Sequence, residues 1–213
     1  MSSAGRAPSI KFSMGGLALC ILLAACSSQD LTPEQKALTA LKWDYTENAI
    51  ELSFTADNDL NQYDGQAHNL LVVVTQFDQI SAFSAYTGSS QQLSSLLLMN
   101  SAPPGMIGLT RLFIEPGQTR QLSLPRLEGA KMVGIAAGYA HLDPTRSVKL
   151  YQIGVDVTST GFFSNTWTAT PRPIAIDLLV GPDALLRGKE SRLALPKPVQ
   201  PREGEVRLPG AQD

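Results

Sequence analysis

The sequence is short of the residues on which most chemistry depends. Of 213 residues only two are cysteine and two are histidine, and aromatic residues make up 7%. The cysteines are Cys20 and Cys26, so the chain beyond Cys26 has no thiol. A disulfide framework, a zinc–thiolate centre and a cysteine nucleophile are excluded there. His68 and His141 each stand in a polar turn region; either could be half of a site, but nothing around them completes one, and solvated loop histidines are the plainer reading. No Gly-x-Ser-x-Gly elbow and no His-Glu-x-x-His pair occurs. A glycine-rich phosphate loop is missing too, since Gly134 and Gly138 lie inside a strand-like run. The chain is therefore expected to bind rather than to catalyse, with no metal and no small-molecule substrate.

What is present begins at the N-terminus. Arg6 and Lys11 precede an apolar run from Leu17 to Leu23, and small residues follow, the order of a secretory signal. The run falls well short of the roughly 20 residues of a membrane-spanning helix. Leu23-Ala24-Ala25-Cys26 resembles a bacterial lipobox, the alternatives being an ordinary signal peptide or an uncleaved anchor that ends in cysteine. On the lipobox reading Cys26 becomes the new N-terminus and carries a diacylglycerol and an amide-linked acyl chain, and no other cofactor is expected. Ser27, rather than Asp, after the cysteine resembles the bacterial signal for the outer membrane. Removal of residues 1–25 leaves 15 basic against 19 acidic residues, a net charge of −4. That is no footprint for nucleic acid or anionic lipid, which draw on clustered Lys and Arg.

The remaining chain reads as a lipidated tether (26–47), a β-sandwich domain (48–186) and a mostly disordered tail (187–213) interrupted by Pro196, Pro198, Pro201 and Pro209. Within the tether, Thr32-Pro33-Glu34-Gln35 could start one helical turn. From Ala49, Ile50, Leu52 and Phe54 alternate with polar residues, as in a half-buried strand. Leu70 to Val74 reads as a strand buried on both faces. Leu93, Leu96 and Leu97 fall on one helical stripe, with Ser89 or Ser90 as cap and a shorter turn at Phe77, Ile80 and Phe83 before it. Strands are expected at 110–114, 120–124, 132–139, 148–157 and 174–180, with a turn at Glu115-Pro116-Gly117. The small residues of 134–138 should admit a close neighbour, either the facing sheet or the helix. About seven strands and one helical insertion favour an antiparallel two-sheet sandwich.

Two stretches invite a functional test. Asp57, Asp59 and Asn61 match the first ligand positions of an EF-hand loop, but Gln62 stands where its glycine belongs and His68 where its bidentate Glu belongs. Turns made by Asn and Asp side chains are the simpler reading. The connection 158–173 carries Phe162, Phe163 and Trp167 among Gly, Ser and Thr; it is either an exposed contact surface or a flap over the sandwich edge.

In order along the chain, these pieces resemble the type VI secretion lipoprotein family called TssJ, SciN or VasD. The resemblance rests on the lipobox; on Asp57-Asn58-Asp59-Leu60-Asn61 followed by Asp64-Gly65; on Thr75-Gln76-Phe77 closing a strand; on the helical insert with Phe83; on Leu112-Phe113-Ile114-Glu115-Pro116-Gly117; and on Met132-Val133-Gly134-Ile135-Ala136-Ala137-Gly138-Tyr139 before Leu142-Asp143. Ser147-Val148-Lys149 departs from the family's Trp-Arg. The resemblance implies a transthyretin-like β-sandwich with a short helical insertion, lipid-anchored at the periplasmic face of the outer membrane. It further implies docking to the periplasmic domain of the inner-membrane protein TssM. The partner-binding residues it implies are Asp57, Asn58, Asp59, Leu60, Asn61, Gln62, Tyr63, Asp64 and Gly65, with Phe162, Phe163 and Trp167 as secondary candidates. The rival readings are a generic outer-membrane lipoprotein, either a pilotin or a ligand-binding sandwich. A hydrolase of the same fold is disfavoured by the C-terminal Leu208-Pro209-Gly210-Ala211-Gln212-Asp213.

Overall fold

Alternation and turn chemistry translate into two packed sheets. The computed structural model describes residues 30–162 and 164–192, and of 187–192 the backbone; Cys26, Phe163 and the stretch beyond Arg192 lie outside the described residues. In chain order the elements are α1 (Pro33–Thr39), β1 (Thr46–Ala56), β2 (Leu70–Phe77), α2 (Ile80–Thr87), α3 (Ser90–Leu98), β3 (Met106–Ile114), β4 (Thr119–Arg126), β5 (Met132–Ala137), α4 (Pro144–Ser147), β6 (Val148–Gln152), β7 (Val155–Thr160), β8 (Thr166–Pro171), β9 (Ile174–Val180) and β10 (Leu185–Arg192). One sheet has the order β10-β9-β1-β4 and the other β3-β2-β5-β6, while β7 and β8 form a separate two-stranded ribbon. The chain is a mostly-β sandwich, with ten strands among the described residues where about seven are expected from the sequence, and with β1 and β9 paired parallel where antiparallel pairing is expected.

The core lies between the sheets. Ile50, Leu52 and Phe54 of β1 meet Ile174, Ile176, Leu178 and Val180 of β9 beside them, with Val72, Val74, Val133 and Ile135 opposite; all are buried. Full burial of each such side chain contributes about 1.5–3 kcal/mol, and a one-residue slip would turn every one of them to water. β2 is buried on both faces, as its unbroken apolar run predicts: Val73 and Phe77 point outward into a second cluster under α2 and α3, with Phe83, Leu93 and Leu96. The small residues of β5 serve this second layer. A Cβ on Gly134 would meet the Phe83 ring at 2.5 Å, so the helix, not the facing sheet, makes the close approach. Phe83 also stacks on Phe77 at 5.2 Å between ring centroids. Ser89 caps α3, its hydroxyl accepting from the Gln92 amide at 3.3 Å.

Four expectations are corrected. The tether does not extend to residue 47: Thr32 and Gln35 form a reciprocal capping box around Pro33, and Trp43 packs against the core. Arg126, itself buried, fixes this segment by donating at 2.8 Å to both the Asp44 carbonyl and the Thr46 hydroxyl, with its guanidinium 5.8 Å over the Trp43 ring. Burial pushes the Arg126 pKa down, with Asp44 opposing. The expected strand 148–157 breaks at Ile153-Gly154, where the Arg172 side chain occupies the space of a Cβ on Gly154. The connection 158–173 is not a flap but a hairpin, paired from Val155↔Pro171 to Thr160↔Thr166. The residues 187–192, expected as the start of a tail, pair antiparallel with β9 and give that sheet its edge.

Strand directions define two poles. β1 and β9 run parallel, from Ile50↔Ile174 to Ala56↔Val180. The loop after β1 and the turn after β9 therefore share one pole, while α1, Trp43 and the base of the β7–β8 ribbon share the other.

Candidate functional site

The first pole is built around the loop 57–69. Asp57 opens it: its carboxylate accepts from the Asp59 amide at 3.0 Å, and its carbonyl accepts from Leu60 and Gly117. This is the local Asn/Asp turn chemistry, and it uses the side chain that a calcium loop would need. Leu60 is fully buried in the core, so it pins the loop and offers no side chain to a partner. Asn61 does the same by polar means. It sits at φ 47°, its side-chain amide donates to the Asn69 carbonyl at 3.1 Å, and its carbonyl oxygen accepts from Ala140 at 2.8 Å. One side chain thus ties the loop to the start of β2 and to the turn after β5. Gln62 adds a bond to the Pro182 carbonyl at 2.8 Å.

The loop's outer part is a miniature hairpin. Tyr63 and Gln66 exchange backbone bonds of 2.9 and 3.0 Å across Asp64 (φ 50°) and Gly65 (φ 75°). Positive φ at both central positions is the type I′ turn for which Asp-Gly is suited. The Tyr63 side chain stands at the rim, half exposed, with the rings of His68 and His141 at 6.2 and 6.3 Å. Sequence spacing alone makes these two histidines separate, solvated loop residues. The structure gathers both around one tyrosine, a convergence that sequence spacing does not encode.

Neighbouring turns complete the surface. Asp143 caps α4, accepting from both the amide and the hydroxyl of Thr145 at 2.8 Å. The hydroxyl first and the amide second hold its carboxyl below the usual range. Arg146 pairs with Asp183 across to the turn after β9. Burial, then Asp183, pushes the pKa of the nearby Tyr139 hydroxyl up. Asp57, Asp59 and Asp64 face solvent, and residues 57–69 contain no Lys or Arg, so this pole presents net negative charge around an aromatic. Among the described residues no group of three His, Cys, Asp or Glu could hold a metal ion. What the arrangement provides is a shaped surface tied down by hydrogen bonds from several turns.

The secondary candidates lie elsewhere. Phe162 caps the β7–β8 ribbon and Trp167 lies on β8, at the opposite pole from Tyr63. No helix among the described residues is long and apolar enough to cross a membrane.

Residues 48–166, more than half of the chain, match a family model described as type VI secretion lipoprotein, VasD, EvfM, TssJ, VC_A0113. No curated protein matches the sequence. Among solved structures, the chain is similar to the T6SS lipoprotein TssJ1 from Pseudomonas aeruginosa (TM-score 0.43, 17% identity, 72% of this chain and 98% of that one). It is also similar to Serratia marcescens Lip, a membrane-bound component of the type VI secretion system (TM-score 0.43, 18% identity, 68% and 98%). A third similarity is to a chain in the structure of the T6SS protein TssM C-terminal domain from EAEC (TM-score 0.44, 15% identity, 68% and 98%).

Proposed function

The chain belongs to the type VI secretion lipoprotein family, and from that membership we propose that it docks the periplasmic domain of a TssM-like inner-membrane protein through the pole around Tyr63. On this reading Cys26 is acylated and holds the domain at the periplasmic face of the outer membrane. One diacylglycerol plus one acyl chain supplies the two or more chains that stable anchoring requires. Confinement to the membrane plane raises the effective concentration of the docking surface.

The two-pole layout is the observation that carries this reading. The chain from Cys26 enters the fold through α1 at one pole, and the rigid acidic loop stands at the other. An anchored domain thus holds its docking surface away from the lipid. A stiff loop also avoids much of the ordering cost of association. Within the loop the contact residues are Asn58, Asp59, Tyr63 and Asp64, which are exposed, while Leu60 and Asn61 shape it from beneath. The complementary surface on the partner is basic, with a pocket for an aromatic ring.

The test is a titration of the chain from Cys26 against the periplasmic domain of the TssM-like protein. Saturable binding that weakens as salt is raised supports the proposal. No binding at high micromolar concentration overturns it and leaves a lipoprotein of another function, such as a pilotin or a ligand-binding sandwich.

A further inference from the structure

We propose that the β7–β8 ribbon is a second membrane contact, its tip seated in the headgroup region of the lipid surface that holds Cys26. The inference rests on the anchoring just proposed and adds to it a face of the folded domain.

Charge is the first observation. Residues 157–171 contain no Asp, Glu, Lys, Arg or His. At the chain's average of 17% charged residues, a stretch of that length would carry about two or three. The charges stop at the base of the ribbon, where Arg172 faces Asp156 at 4.0 Å. Beyond it come Thr158, Thr160, Thr166 and Thr168, all exposed, and at the tip Phe162, 94% exposed. Small hydroxyl side chains tipped by an aromatic suit the membrane–water interface, where an apolar ring enters the acyl boundary and hydroxyls meet headgroups. Of the side chains enriched at the core of a protein interface, Phe and Trp are present here, but Tyr, Met and Arg are missing.

Position is the second observation. The ribbon springs from the pole opposite Tyr63, and α1 packs along β8, with Ala40 just after it lining one shallow cavity with Ala169, Thr170 and Pro171. The six residues from Cys26 to Thr32 reach at most about 20 Å. A lipid on Cys26 therefore keeps α1, and the ribbon it packs on, close to the bilayer surface.

The third is stability. A two-stranded ribbon is marginal in water on its own. Along β8, Trp167, Ala169 and Pro171 are half-buried on one face, and α1 packs against the strand, whereas Thr158, Thr160, Thr166 and Thr168 of the distal pairs are exposed. Contact with a lipid surface adds support along the ribbon's exposed face.

The experiment couples the chain from Cys26, through that lone thiol, to a maleimide-headgroup lipid. The vesicles are phosphatidylethanolamine and phosphatidylglycerol, with and without brominated acyl chains. Trp43→Phe leaves Trp167 as the single tryptophan. Brominated lipid is expected to lower its emission, as for an indole near the membrane–water interface. Phe162→Asp should restore most of that emission with an unchanged circular-dichroism spectrum. Emission untouched by brominated lipid overturns the inference. So does protection of Trp167 that develops only when the TssM-like domain is added, since the ribbon would then serve a protein. The mass of the mature N-terminus from cells tests natural acylation separately, so failure of the anchoring reading and failure of the ribbon contact are distinguishable.

Discussion

The two poles of this sandwich are held by different means. At the Tyr63 pole the backbone is wired from several directions: Asn61 alone bonds to Asn69 and Ala140, Gln62 to Pro182, and Leu60 plugs the core. At the α1 pole one buried guanidinium, Arg126, does most of the fastening, and the β7–β8 ribbon extends beyond it with one face covered. A surface that must be pre-shaped needs redundant ties, because each loose residue would have to be ordered on binding. An extension seated on lipid, as proposed for the ribbon, has no such need. The contrast also separates roles within one loop, since the residues that make it stiff are not those that face outward.

The largest effect should come from removing the apolar tie. Leu60→Ala opens a cavity beneath the loop and is expected to cost about 2–5 kcal/mol in a urea melt, in the range for buried leucine. Docking should weaken with it. Retained affinity at full loss of stability would break the claim that stiffness of this pole matters. Arg126→Ala tests the other pole. It removes two charge-assisted bonds and exposes Trp43, with an expected loss of about 1.5–3 kcal/mol. Hydrogen exchange should quicken through α1 and β8 and stay slow at the Ala140 amide, with docking affinity unchanged. Loosening that spread to Ala140 would mean the poles are not independent.

Tyr63→Ala sharpens the division inside the loop. The ring is half exposed, so folding stability should barely move, while affinity for the TssM-like domain should fall about tenfold or more, as for an aromatic anchor. Unchanged affinity would move the contact away from this rim.

How far the sequence alone leads can be judged at the same residues. Strands whose inward positions alternate, such as Ile174, Ile176, Leu178 and Val180, were legible because burial of one face imposes a period of two. The Asp64-Gly65 turn was visible because few residue pairs tolerate positive φ twice. Three things were hidden. The polar, proline-flanked stretch beyond 186 gives no apolar period, yet the edge of β9 recruits its first residues into a strand by backbone bonds alone. The β7–β8 hairpin has Thr and Ser where a buried strand would show Val and Ile, so its sequence has the pattern of a connection. Within the expected docking loop, Leu60 and Asn61 could not be told from contact residues, because burial there depends on turns more than 70 positions away, at Ala140 and Gly181.

The smallest expected effect concerns Asp143, and it has a defined sign. Its carboxyl is held below the ordinary value of 3.8 by the Thr145 hydroxyl and amide. A carboxyl depressed in the folded state contributes its stability in full above the unfolded value, and that contribution fades as pH falls through the folded one. Asp143→Asn should therefore lower Tm slightly near neutral pH, with the deficit shrinking as the solution is acidified past the carboxylate range. The turn it caps is the one that presents His141 to Tyr63. Docking should follow the same pH course if that ring contributes to the contact. A Tm difference independent of pH would show that ionisation of Asp143 has no part in the stability of this turn.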